Sequence, residues 1–287
     1  MSKMAVKESD SQRGTVRVTR AVQSSVRQVW DALTVPEVVE KWFGSLSHPL
    51  RVGESSSLDF GDGDFFSIKT LRIDPPSTLE YEWRFLGTGP LDTITWNIIP
   101  ADEGCLVTVT DKESGRTEEE AASLRKGWLD FTKRLEKFLR KGAPTRYPWR
   151  HEFDGSIELS GDAEKVWGLL FDGKAPGRWL PFGDTHIESG ARFAANDGME
   201  PIQFEILNPA ISPRQSLRFD LIGESWLHST PCCLSLSPRE SGTLLSVSHN
   251  GWESISLRKS YQKEQRKRFC DLWVEALNRA GEVVEKG

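Results

Sequence analysis

The chain has little of what most enzyme chemistry needs. Its four cysteines, Cys105, Cys232, Cys233 and Cys270, stand at spacings that suit no metal, and the adjacent pair is a poor clip. They read as reduced thiols of a cytoplasmic protein. No apolar run approaches the roughly 18 residues that cross a bilayer, so no membrane span is expected. The opening MSKMAVKESDSQRG is polar and carries no signal-peptide core, and residues 1–14 are expected to be a disordered arm. A net charge of −5 argues against a nucleic-acid partner. The basic stretch Arg258–Arg268 reads as a solvated helix face, balanced by Glu264. No G-x-S-x-G elbow, phosphate-binding glycine loop or Cys–His pair occurs. The Gly61–Asp64 turn is too short for a calcium loop. No cofactor and no metal are expected, and a catalytic role is not favoured.

What the chain does have is tryptophan, eleven residues of it. Each can bury ~150–250 Å², so these side chains dominate any interior. The stretch Val26–Gly44 shows how. Val26, Val29, Trp30 and Leu33 share one face of a short helix that Ser24 or Ser25 can cap. Pro36 suits the first turn of a second short helix, and Val39, Trp42 and Phe43 give it an apolar end.

Before these helices, Thr15–Val22 alternates like a strand. After them come strand candidates at 57–60, 65–73, 79–85, 92–99 and 105–111. In LEYEWRF, Leu79, Tyr81, Trp83 and Phe85 face one way while Glu80, Glu82 and Arg84 face the other. Thr117 and Glu120 form a capping box for a long helix with the stripe Leu124, Trp128, Phe131, Leu135 and Phe138. Gly142-Ala143-Pro144 ends it.

The plan then repeats. Trp30 and Trp42 return as Trp167 and Trp179, and Gly53 as Gly190, each 137 residues later. Pro100 and Gly104 return as Pro238 and Gly242. A second long helix is expected from about Ser256 to Val284. A repeat this long signals duplicated domains rather than a solenoid. The expected layout is an arm at 1–14, a domain at 15–142, a linker at 143–150 and a domain at 151–287. The fold class is α+β: two tandem domains, each a curved antiparallel sheet gripping a long C-terminal helix, with two short helices at one end. A cavity between sheet and helix is the default ligand site.

These features resemble a known family. V-W-x-x-L with the later W-F-G, the D-P-P before L-E-Y-E-W, and Gly127-Trp128 in the long helix are similar to the START-like helix-grip (SRPBCC) domains related to the activator of the heat-shock-protein-90 ATPase. The second half keeps the His249-x-Gly251 turn of that family, whereas the first has Asp111 at that place. Tandem copies in one chain resemble the START-like proteins of enediyne antibiotic clusters. The resemblance implies fold more than function, because such folds host many activities.

The expected function is binding of a hydrophobic small molecule, aromatic or polyketide-like, by a monomer. The resemblance adds enediyne biosynthesis or self-resistance, by sequestration or sacrificial cleavage, as the setting. A polyketide cyclase or aromatase is the alternative, with His249 or Asp111 as its acid–base group. A chaperone partner is a third reading, weakened by the lack of an extra domain in the N-terminal arm. The candidate ligand-binding residues are Trp42, Phe43, Phe66, Trp83, Trp96 and Trp128 in the first domain. In the second they are Trp179, Phe204, Phe219, Trp226, His249 and Trp273. Trp30 and Trp167 are expected to be core. Asp111 and Glu113 are expected at the solvated surface, within reach of Arg84. His186, His228 and His249 lie in one domain but at separations that form no ligand motif.

Overall fold

A computed structural model describes residues 14–183, 187–195 and 202–287. The chain divides into two compact units. Unit 1 runs to Gly61 and takes in Phe65–Gly87 and Leu91–Pro148. Unit 2 comprises Trp149–Gly287 with the short segments Asp62–Asp64 and Thr88–Pro90. The expected fold class is borne out in both.

Unit 1 opens with β1 (Thr15–Val22), α1 (Val26–Thr34) and α2 (Pro36–Val39). Five short-to-long strands follow: β2 (Ser45–Leu46), β3 (Ser55–Asp59), β4 (Phe65–Asp74), β5 (Thr78–Phe85) and β6 (Asp92–Ala101). Then come β7 (Gly104–Lys112) and the long α3 (Glu118–Lys141). The sheet is antiparallel throughout, in the order β1-β7-β6-β5-β4-β3-β2. Ser25 caps α1 in a reciprocal box with Gln28, and Thr117 caps α3 in another with Glu120. Each box satisfies N–H groups that the first helical turn leaves open. Gly142, in the left-handed region at φ 68°, stops α3. The buried stripe Trp128, Thr132, Leu135 and Phe138 turns α3 onto the sheet.

Thr145, Arg146 and Tyr147, read above as linker, lie along unit 1. Thr145 donates its N–H to the Lys41 carbonyl at 2.9 Å, and Arg146 donates to the Asp59 carbonyl at 2.8 Å. The Arg134 guanidinium sits 3.5 Å over the Tyr147 ring, and the Tyr147 hydroxyl donates to Asp130.

Unit 2 repeats the order. It has β8 (Phe153–Leu159), α4 (Ala163–Phe171), α5 (Pro176–Trp179), β9 (Arg192–Ala194) and β10 (Gln203–Ser212). After β11 (Ser216–Gly223), β12 (Thr230–Arg239) and β13 (Gly242–His249), a 3-10 turn at Trp252–Ser254 leads into α6 (Lys259–Lys286). Its strand order is β8-β13-β12-β11-β10-β9. The helix expected from about Ser256 starts at Lys259, because the 3-10 turn with buried Trp252 occupies the approach. Phe269, Trp273, Ala276, Leu277 and Ala280 form its inner stripe. Among the described residues no helix is long and apolar enough to cross a membrane.

Candidate functional site

The aromatic residues singled out in unit 1 come together as a single stack under the sheet. Phe66 lies 3.8 Å from Trp83, and Trp83 lies 5.4 Å from Trp128, with rings within 14° of parallel. Trp42 stacks on Phe43 at 4.7 Å and meets Trp96 edge-on at 6.4 Å. The interior is therefore filled by its own rings. The void lined by Leu33, Trp42, Phe43, Leu50, Leu79 and Trp96 measures only ≈ 20 Å³, about one probe sphere. Most indoles also have a hydrogen-bond acceptor. Trp42 donates to the Ala32 carbonyl at 2.7 Å and Trp96 to the Tyr81 hydroxyl at 3.0 Å. Trp226 has a buried N–H group without an acceptor among the described residues, whereas Trp83 lies opposite Asp92, whose carboxyl its indole N–H faces.

In unit 2 Phe204, Phe219, Trp226 and Trp273 pack into one aromatic network joined through Phe193 and His249. Phe219 and Trp273 meet at Phe182, 5.7 and 5.8 Å from its ring. Phe204 and Trp226 meet edge-on at 5.5 Å, and Phe269 packs against both. Trp179 donates to the Leu170 carbonyl at 2.8 Å, as Trp42 does to Ala32. That bond pins the short helix pair in each unit.

The large opening lies elsewhere. A cleft of ≈ 770 Å³ in unit 2 is walled by Trp167, Phe171, Pro176, Ile187, Ile211 and Leu217, with Asp172, Lys174 and Glu188 around it. None of the twelve candidate residues lines it. Trp167, expected to be plain core, is part of its wall. The place corresponds to the tiny void of unit 1: Ile187 repeats Leu50, and Leu217 repeats Leu79. The cause is local. In unit 1 a single residue, Val35, joins α1 to α2, and the chain after α2 tucks Val39, Trp42 and Phe43 into the gap. In unit 2 four residues, Asp172–Ala175, join α4 to α5. α5 begins late and ends on Trp179 itself. Leu180 stands where Phe43 would repeat, and the next phenylalanine, Phe182, packs against Phe193, Phe219 and Trp273. A sequence signal existed. The tryptophan spacing is constant across the repeat, but the proline between them moves from Pro36 to Pro176, three residues late.

The acid–base candidates are structural anchors. His249 is fully buried. Its Nδ1 lies 3.0 Å from the Trp273 indole nitrogen and its Nε2 2.8 Å from the Thr230 hydroxyl. An indole N–H can only donate, so Nδ1 accepts and Nε2 carries the proton. The Thr230 hydroxyl passes the chain to the Leu221 carbonyl at 3.2 Å. Burial holds the imidazole well below its usual pKa, in the neutral form.

Asp111 plays the same part in unit 1, accepting from the Trp128 indole at 2.8 Å. It is buried, not solvated as expected, and its partner is Arg116 at 2.6 Å rather than Arg84. Arg116 also meets Asp92 at 2.5 Å and Glu113 at 3.5 Å. One guanidinium cannot balance three carboxylates away from water. Burial raises both Asp92 and Asp111, and the Asp111 charge raises Asp92 further. Neither His249 nor Asp111 borders the cleft. His228 is exposed, and His186 lies outside the described residues. Among the described residues no His, Cys, Asp and Glu group could hold a metal.

Comparison with known proteins agrees with this architecture. Residues 23–140 match the family described as Activator of Hsp90 ATPase homolog 1-like protein. The crystal structure of DynU16, from the dynemicin biosynthetic locus, is 36% identical with a TM-score of 0.86. That match covers 94% of this chain and 99% of the other. StfQ, a di-domain ARO/CYC from the steffimycin biosynthetic pathway, matches at 13% identity and a TM-score of 0.37, covering 94% and 98%. CalU16 from Micromonospora echinospora matches at 21% identity and a TM-score of 0.38, covering 45% and 77%. No curated protein matches the chain. With 36% identity to DynU16 along 94% of the chain and the two gripped helices in place, the chain belongs to the tandem helix-grip family of DynU16.

Proposed function

We propose that the chain binds a hydrophobic small molecule of aromatic or polyketide type, and that unit 2 is the binding unit. The ≈ 770 Å³ cleft carries this reading. Its size falls within the roughly 300–1,000 Å³ of small-molecule sites, and its walls are aromatic and aliphatic. Trp179, Phe204, Phe219, Trp226, His249 and Trp273 form the packed interior of the same unit. Relationship to a protein of the dynemicin locus supports enediyne biosynthesis or self-resistance as the setting.

The test is a titration of the full chain with an anthraquinone-type polycycle, followed by indole N–H spectra. Saturable shifts at Trp167 are expected, with Trp42, Trp83 and Trp96 unmoved. Ile187→Trp should fill the cleft and abolish them. Shifts confined to unit 1, or none at all, would overturn the assignment. For the sacrificial version, the chain is incubated with an activated enediyne and DNA. An uncut chain with unprotected DNA would leave sequestration or biosynthesis as the role.

A further inference from the structure

Among the described residues the rim of the cleft carries more negative than positive charge, and it does so next to the C-terminal end of α4. Asp172, Lys174 and Glu188 are all exposed at the opening. Among the described residues none of the three forms an ion pair. Elsewhere on α4, by contrast, Glu164 is engaged by Arg214 at 2.8 Å. Asp172 is also the C-terminal cap of α4. In α1 the equivalent cap donates its N–H back to the Asp31 carbonyl at 2.9 Å. Asp172 donates no such bond, but the end of α4 is partnered: the Leu170 carbonyl accepts from the Trp179 indole at 2.8 Å and the Asp172 carbonyl from the Ala175 N–H at 3.0 Å, while Phe171, Asp172 and Gly173 line the cleft. A helix C-terminus carries partial negative charge. Lys174 balances one carboxylate, which leaves one carboxylate without an opposite charge among the described lining residues.

We infer that the ligand of this cleft joins a flat apolar body to a cationic amino group, held at the Asp172–Glu188 rim beside the end of α4. This rests on the binding role proposed above. A neutral ligand would strip water from two carboxylates and give nothing in return, and an anion would add repulsion. A protonated amine offsets both, while Trp167, Ile187 and Leu217 take the apolar part. The longer α4–α5 connection thus does two things: it opens the space and brings Asp172 to its edge.

The experiment compares three probes that differ only in charge: an anthraquinone with an aminoalkyl arm, its N-acetylated form, and a carboxyalkyl form. Each is titrated into the full chain by tryptophan fluorescence. The amine should bind roughly fivefold tighter than the acetylated probe at low salt, as a partly screened rim charge allows. The advantage should shrink at high salt and vanish in the Asp172→Asn/Glu188→Gln variant, which should bind the acetylated probe at least as tightly as the unaltered chain does. An unaltered thermal midpoint confirms that this variant folds. Equal binding of all three probes, or preference for the carboxylate, overturns the charge inference and leaves the binding role standing. No binding by any probe overturns both.

Discussion

At the scale of single residues, the same position does the same work with opposite chemistry. Asp111 and His249 each end the last strand of a sheet, and each receives the indole N–H of the gripped helix. Removing either leaves a buried donor unpaired. Asp111→Ala leaves Arg116 paired with Asp92 but takes the acceptor from the buried Trp128 N–H, and should cost ~1–3 kcal/mol of stability. His249→Ala should cost roughly 2–4 kcal/mol through a cavity and the unpaired Trp273 N–H. Denaturant midpoints check both values, and ligand affinity at the cleft should not change.

Their pH signatures should differ as well. Asp92 is raised to about 8 by burial and by the Asp111 carboxylate, so the fold favours its protonated form. That contribution is complete below the ordinary carboxylate range and is lost as pH rises through about 8. Asp92→Asn should flatten the alkaline decline of the thermal midpoint. His249 is lowered by burial, so its contribution is present above the usual 6.5 and falls as the unfolded chain takes up protons below it. His249→Gln should flatten the decline on the acid side. An unchanged slope in either variant would contradict the assigned ionisation states.

At the scale of elements, close approach and capping decide. Gly104 and Gly242 are repeat partners at the start of the last strands. A Cβ at Gly104 would lie 2.1 Å from the Val22 carbonyl oxygen, and one at Gly242 would lie 2.2 Å from that of Leu159. Both carbonyls belong to the backbone of the adjoining first strand and cannot step aside. Gly104→Ala should therefore destabilise by well over ~1 kcal/mol. Gly53→Ala, with open space around it, should carry only the ~1 kcal/mol cost of left-handed backbone. Thr117→Ala should lower the helix by ~1 kcal/mol through loss of its box. Chemical denaturation of the three variants ranks them. The helix pair shows the same scale from the functional side. Its length is constant between tryptophans, yet one residue joins the helices in unit 1 and four do so in unit 2.

At the scale of the whole molecule, the duplication has left two interiors with different fates. Unit 1 is filled, with ≈ 20 Å³ at the place where unit 2 has ≈ 770 Å³. Calorimetric titration should accordingly give one ligand per chain rather than two. A stoichiometry of two would mean that the aromatic stack of unit 1 opens. Much of this was legible in sequence. Repeat offsets of Trp, Gly and Pro located both copies, and strand alternation, capping boxes and helix stripes located the elements. The candidate site was less so. Aromatic residues were chosen because they are large and lie on inward faces. Large inward residues are also what fills a core, and Phe66, Trp83 and Trp128 stack on one another. Asp111 shares strand parity with the inward Val107 and Val109, and alternation reports which face a residue takes. It does not report whether an arginine five positions on folds back to cover it.

The sequence by itself determined the helix-grip architecture and its duplication, because periodicity, capping and turn chemistry act over a few residues and recur at a fixed offset. Tertiary structure alone decided which interior stays open and which charges remain unpaired at its edge. Free volume is the difference between the space that the elements enclose and the side chains that reach into it. That difference depends on residues far apart in the chain, such as Trp167, Ile187 and Leu217, meeting in one place.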